Sequence, residues 1–436
     1  MPSNLDQFLV LATQRLRPVS LRALYSIGNG CLGRNSLQVA SQFLHEELPA
    51  RFMESLRMLA HPSTPAYISN LPSVHDMSER IVGDLSALLE TPRPVSPRDD
   101  ASFTDLIRAL QQNHAQTLGL LDQVFLELQE ANSSVPRHSR RGARLSRETQ
   151  AFFERFHKLQ IGAGLLMSEQ ISLHDQGQNI VTKVSPRRIA QQAAEDARQA
   201  LIEEFPHLIS PQTPSVVITE TSQKSLSNLV YLEDHLRRIL FEIFKNSLLA
   251  TARHQRPSTA AAAPLPPLRL TIAEGKEDIT FKLSDEGGGI PFASLDRIWD
   301  CTQPSTHPGP SLDYLQARGR CAVPMLGLRH GLALSRIIAR YFGGDLQVVS
   351  MDGYGTDTYL YLLKKDSQPE ALEPTVQESL KSDLFPFPNQ VVPVPQYARP
   401  AKPAPVAEDA YTKTGWLLDY LNSAGISLDH SLTEPL

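Results

Sequence analysis

Glu242 and Asn246 are spaced for chemistry on a helix. Residues four apart share one helical face, one turn from each other. Leu236, Ile239, Leu240, Ile243 and Phe244 take the other face. A carboxylate so placed can accept a proton from an incoming hydroxyl. An amide oxygen is a hard ligand for Mg2+, which keeps octahedral geometry with waters and phosphates. Read alone, the pair is more often what a solvated surface helix carries. Thirty-nine residues after Asn246, the run Asp285-Glu-Gly287-Gly288-Gly289-Ile290 follows the apolar stretch Ile279–Leu283. Its glycines let backbone approach a ligand closely and adopt positive φ. An Asp at a strand end can accept the exocyclic amine of adenine, though a plain glycine turn reads the same way. Third comes Gly327-Leu-Arg329-His330-Gly331, opening a helix that runs to Tyr341. Glycines before a helix start present free N–H groups and the positive dipole end to phosphate. The fourth run, Asp352-Gly353-Tyr-Gly355-Thr356-Asp357, is a glycine turn with a hydroxyl between strands.

These residues need elements to hold them. Leu37, Ala40, Leu44, Leu48, Phe52 and Leu56 recur at steps of three and four, the spacing of one buried helical face. Leu106, Leu110, Leu118, Leu121, Phe125 and Leu128 repeat it, as do Phe152, Phe156, Leu159, Ala163 and Leu166. Such stripes predict a bundle of long antiparallel helices, with polar breaks at Thr91–Asp100 and Asn132–Arg144. Beyond Ser185 the pattern predicts a helix over 186–203, a strand at Val216–Thr219, a helix over 226–254 and a hairpin of Leu268–Ile272 with Ile279–Leu283. Arg256–Pro267 is a low-complexity surface insertion. A helix at 331–342 and a strand pair around Asp352–Gly355 complete an α+β layer. The last 70 residues hold ten of the 33 prolines and read as a tail.

The chain has 436 residues, enough for about two to four domains. Its net charge of −5 argues against a protein built to grip nucleic acid, which needs a basic excess. No apolar run reaches the roughly 18 residues of a membrane span. Cys31, Cys301 and Cys321 are too few and too scattered for a disulfide framework. Residues 1–45 carry one acid, Asp6, against Arg15, Arg17, Arg22 and Arg34. That is the composition of a mitochondrial transit peptide, or of an ordinary first helix.

The four runs, in this order, resemble the ATP-binding fold of gyrase, Hsp90, bacterial histidine kinases and MutL. More narrowly, the chain resembles the mitochondrial kinases of the pyruvate and branched-chain 2-oxoacid dehydrogenase complexes. Phe43-Leu-His-Glu-Glu-Leu-Pro49-Ala-Arg51 is similar to that family's first long helix, and His114 and Leu159–Leu166 to its second and regulatory helices. Glu242–Asn246, Asp285–Pro291, Ser335–Leu346 and Gly353–Asp357 match its ATP-binding half. The resemblance spans about residues 18–365. It implies a four-helix bundle followed by a two-layer α/β sandwich, divided as a short targeting segment at 1–17, a bundle at 18–180, an ATP-binding domain at 181–366 and a Pro-rich tail at 367–436. It implies a Mg·ATP-dependent kinase in the mitochondrial matrix that phosphorylates serine on a dehydrogenase E1 α-subunit and switches the complex off. Pyruvate dehydrogenase is the expected substrate. The branched-chain enzyme and a non-catalytic regulatory paralogue are the alternatives. The lipoyl-bearing E2 core would be a second partner, and the protein a homodimer. In this scheme Glu242 is the general base and Asn246 the Mg2+ ligand. Asp285 contacts adenine, helped by Thr356, and Gly287, Gly289, Gly327 and Gly331 shape the nucleotide loops. The segment 292–325 is the ATP lid.

Some positions depart from the family. Glu286 stands where Arg is usual, Arg329 replaces a lid glycine, Ala333 a proline, and Arg238 a His or Tyr one turn before Glu242. Arg329 would either crowd the phosphate loop or clasp phosphate. His114 is either a core histidine or part of a pocket for a carboxylate metabolite, with Gln111 and Gln160 standing where relatives carry Arg.

Overall fold

The computed structural model describes residues 11, 13–28, 36–62, 64–131, 140–205, 214–221, 229–254, 265–300 and 331–372. A short helix, α1 (Leu21–Gly28), leads into four long ones: α2 (Ser36–Ala60), α3 (Pro72–Glu90), α4 (Pro97–Ala131) and α5 (Arg140–Gln176). Each packs on the next, and α5 closes back on α2. The stripes read from sequence face inward: Leu44, Leu48, Phe52, Leu110, Phe125, Phe156 and Leu166 are all buried. The break before α4 is shorter than its composition suggests. The Ser96 hydroxyl accepts the Asp99 N–H at 3.3 Å, and the Asp99 carboxylate accepts the Ser96 N–H at 2.9 Å. This reciprocal cap starts the helix at Pro97, so Pro97–Asp100 are helical. The break around 132–139 lies outside the described residues, and helix resumes at Arg140.

The second half is a five-stranded sheet in the order β2-β4-β5-β7-β6, backed by helices. The strands are β2 (Val216–Glu220), β4 (Leu268–Glu274), β5 (Asp278–Asp285), β6 (Asp345–Met351) and β7 (Gly355–Leu363). β2 runs parallel to β4, and the other pairs are antiparallel. Alternation along the strands buries Leu268, Leu270, Ile272, Ile279, Phe281, Leu283, Leu360 and Leu362. The helices of this half are α6 (Pro186–Glu204), α7 (Glu233–His254) and α8 (Gly331–Tyr341), and α7 packs against both others. One correction concerns α7, expected from 226. Residues Leu229–Leu232 form strand β3, paired antiparallel with β1 (Val181–Val184), and Glu233 and Asp234 open the helix. The β-prone Leu-Val-Tyr-Leu run takes the available partner strand, and acidic residues suit the dipole at a helix start. The insertion 256–264 is outside the described residues. Residues 367–372, grouped by sequence with the tail, fold back instead: the Glu370 N–H donates to Val19 O at 2.9 Å, and the Ala371 N–H to Tyr341 O at 2.8 Å.

Candidate active site

Glu242 is not on a solvated face. It is 2 % exposed, in a helix buried on more than its apolar stripe. Its Oε2 lies 2.7 Å from Lys245 Nζ and its Oε1 3.7 Å from Arg238 Nη2, so two cations on its own helix face the carboxylate. A Cβ on Gly331 would stand 2.1 Å from Glu242 Oε2. The first residue of α8 therefore abuts the carboxylate, and a side chain there would push the carboxylate aside. Asn246, one turn on, is exposed and lines a cleft of ≈ 790 Å³.

Asp285, the last residue of β5, sits deep in the same cleft and is 7 % exposed. Ser247 donates its hydroxyl to Oδ2 at 2.7 Å, while the Gly287 and Thr356 N–H groups donate to Oδ1 at 3.0 and 3.2 Å. Burial pushes the carboxyl above its ordinary range, and these donors only partly offset it. Gly288 and Gly289 have φ of 83° and 73°. A Cβ on Gly289 would meet Met351 O at 2.0 Å, so the turn presses against the β6–β7 connection. The Gly288 N–H donates to Tyr354 O at 3.1 Å, and the Gly353 N–H to Gly288 O at 2.8 Å. The second and fourth runs of the sequence thus form one wall. Thr356 serves Asp285 through its backbone, and its hydroxyl pairs with Ser350 Oγ at 2.9 Å. Gly287 packs against α7, where a Cβ would meet Ala250 Cβ at 2.7 Å.

The fold therefore gathers Asn246, Asp285, Gly287, Gly289, Gly331 and Thr356 around one cleft, with Glu242 against Gly331. Gly327 and Arg329 lie outside the described residues, as does the lid beyond Asp300. Glu286 points away to a surface pair with Arg269 at 3.7 Å, and Ala333 is buried. Sequence reasoning gave no role to Ser247, Lys245 or Ser350. Ser247 directly follows Asn246, but its partner is visible only once β5 is docked beside α7.

In the bundle, His114 and Gln160 meet, with Nε2 2.8 Å from the Gln160 amide oxygen. Gln160 in turn donates to Ser55 Oγ at 2.9 Å. Gln111 does not join them in this run; its amide donates to Ser168 Oγ at 2.8 Å. Burial draws His114 down to about 4, the Gln160 contact opposing, so the imidazole is neutral near pH 7.

Comparison with known proteins agrees in both halves. Residues 18–200 match the family model for mitochondrial branched-chain alpha-ketoacid dehydrogenase kinase, and residues 231–366 match that for histidine kinase-, DNA gyrase B- and HSP90-like ATPases. The mitochondrial pyruvate dehydrogenase (acetyl-transferring) kinase of Arabidopsis thaliana is 31% identical, over 81% of this chain and 92% of that protein. The chain belongs to the pyruvate dehydrogenase kinase family. Isozyme 4 of the mitochondrial pyruvate dehydrogenase kinases is 30% identical in Mus musculus, over 83% of this chain and 84% of that protein, and 30% identical in Homo sapiens. As a member of this family the protein is a protein kinase with an ATPase-type nucleotide fold. No helix among the described residues is long and apolar enough to cross a membrane.

Proposed function

We propose that this kinase transfers the γ-phosphoryl group of ATP to a serine of pyruvate dehydrogenase E1α and so inactivates the complex in the mitochondrial matrix. One observation carries the reading. Glu242, a buried carboxylate against the cleft-lining Gly331, lies one helical turn from Asn246, an exposed amide in a cleft that also holds Asp285.

Asp285 would accept the adenine amine, held in place by Ser247, Gly287 and Thr356. The start of α8 would face the phosphates with its free N–H groups and dipole. Asn246 suits Mg2+ because its side chain is a hard oxygen donor exposed in the cleft. Bound there, the metal would neutralise charge on the phosphate oxygens. Glu242 takes the serine proton as the serine oxygen attacks the γ-phosphorus. The new O–P bond forms as the bond to the β-phosphate oxygen breaks, and ADP leaves with that electron pair. Lys245 keeps the receiving oxygen aimed.

We assign residues 18–180 to the bundle and 181–366 to the nucleotide domain, with docking on the lipoyl-bearing E2 core and homodimerisation as further features. A second reading has a specific support: the bundle matches a branched-chain dehydrogenase kinase model. Incubating the protein with γ-labelled ATP and each purified E1 separately decides between them. Phosphoserine on pyruvate dehydrogenase E1α is expected. Label only on the branched-chain E1α selects the second reading. ATP binding with no transfer to either overturns both in favour of a regulatory paralogue.

A further inference from the structure

Where the bundle meets the nucleotide domain, the fold buries a full ion pair. Arg51 on α2 and Glu370 in the returning segment have side chains 0% and 1% exposed. The guanidinium holds both Glu370 oxygens, Nη1 reaching Oε2 at 3.2 Å, and its Nε reaches Glu47 Oε1, also at 3.2 Å. Tyr341, the last residue of α8, donates its hydroxyl to Glu370 Oε2. The Val19 N–H donates to Glu370 Oε1 at 2.9 Å. On α5, a Cβ at Gly162 would stand 2.1 Å from Arg51 Nη1 and 2.5 Å from the Tyr341 hydroxyl. The α5 backbone is bare there so that guanidinium and phenol can meet.

A buried ion pair is a weak source of stability, because apolar side chains of similar volume often do as well or better. In some folds such a pair instead fixes geometry, and here α8 joins the pair to the site. Its first residue, Gly331, abuts Glu242. Its last, Tyr341, is tied to Glu370. The helix has 11 residues and so spans about 16 Å. On the bundle side the contacts continue. Arg51 O accepts the Ser55 hydroxyl at 2.9 Å, Ser55 accepts from Gln160, and Gln160 meets His114. One run of contacts leads from the bundle core to the helix that ends on Glu242.

We propose that Arg51, Tyr341 and Glu370 are positioning residues for phosphoryl transfer, fixing through α8 the Gly331 end that abuts Glu242. This rests on the reading of Glu242 as the base. Tyr341→Phe removes one hydroxyl and keeps the ring. Glu370→Gln keeps the shape and removes the charge. In the full chain, kcat and KM for ATP are measured on E1α well below the melting temperature, with amide exchange over 335–338, the first fully hydrogen-bonded turn of α8, read in parallel. A misplacement of about 1 Å at a distance from the chemistry can cost up to about 10²-fold. Both variants should therefore lose about tenfold or more in kcat, while KM for ATP rises by a smaller factor, because Asp285 is held by β5, α7 and β7 and only the phosphate-facing start of α8 moves with the cluster. Exchange at the start of α8 should quicken more than in the centre of α3, which takes no part in the cluster. A purely structural pair would lower the melting temperature and leave both readouts of the folded enzyme unchanged. Unchanged kcat and unchanged exchange in folded variants overturn the proposal. Should Glu370→Gln not fold, Tyr341→Phe decides alone. If the wild type transfers nothing to E1α, the base reading falls, and exchange at 335–338 still decides whether the cluster sets the end of α8.

Discussion

Replacing Asp285 by Asn separates recognition of the base from folding. The carboxylate is buried and accepts from Ser247 on one oxygen and from the Gly287 and Thr356 N–H groups on the other. In the variant the amide oxygen must stay with the two backbone donors, since an NH2 group cannot pair with N–H. The NH2 then takes the place of Oδ2, where the Ser247 hydroxyl can rotate to accept from it. The fold is kept, but the cleft now offers a donor where adenine also brings a donor. A hydrogen bond to a charged group contributes about 1.5–3 kcal/mol, so ATP affinity should fall by about 10- to 150-fold. Inosine triphosphate carries a carbonyl in place of the amine and should bind the variant better than ATP does. The wild type should show the reverse order. Acidification supplies a second test. Burial raises the Asp285 carboxyl, so wild-type ATP affinity should fade at a higher pH than an ordinary aspartate, near 3.8, would require. Calorimetric titration of both nucleotides, with melting curves as the control for folding, measures each effect. A folded Asp285→Asn protein that binds ATP within about twofold of wild type, or an unchanged order of ATP and inosine triphosphate, refutes the adenine role.

Other consequences follow from the same geometry. Gly331→Ala drives a methyl group into the Glu242 carboxylate, at 2.1 Å from Oε2, and should cut kcat by about 10²-fold while the sheet still melts cooperatively; near-normal turnover would contradict the contact. Glu169 is buried and raised from 4.5 to about 7, burial outweighing the Ile180 N–H that it accepts. Its folded value exceeds its unfolded one, so the fold binds the extra proton and loses stability as pH rises from about 4.5 to about 7. Glu169→Gln should flatten that slope and stabilise the protein above pH 7 by on the order of 3 kcal/mol, and denaturant melts across pH that superimpose on wild type would refute it. Because His114 is neutral and engaged with Gln160, and Gln111 with Ser168, dichloroacetate and 2-oxoacids should inhibit poorly: a buried carboxylate needs a cationic partner. Micromolar inhibition abolished by His114→Ala would show a working pocket.

Much of this was legible in the residues. The helical stripes of α2, α4 and α5 have a strong 3.6 period, and Asp285 with its glycines follows an alternating strand, so elements and cleft could be read in order. What periodicity cannot carry is partnership across the fold. Leu229–Leu232 reads as the front of a helix until β1 offers it a ladder. Glu370 sits among prolines and looks like tail, and only its 319-residue reach to Arg51 shows it to be core. Glu242 was readable as a surface acid because helical spacing counts faces and not what α8 later brings against them. Arg238 stood out as a departure from the family, but its pairing with Glu242 needed coordinates.

The central claim is that Glu242 takes a proton from a serine of E1α while the nucleotide is held independently of it. Transfer from γ-labelled ATP to purified pyruvate dehydrogenase E1α should be compared between wild type and Glu242→Gln, with phosphoamino-acid analysis of the product and ATP titration of both proteins. The wild type should yield phosphoserine, and the variant should show a rate lowered by about 10²- to 10⁴-fold with ATP affinity within a few-fold. Transfer by Glu242→Gln at near wild-type rate would contradict it.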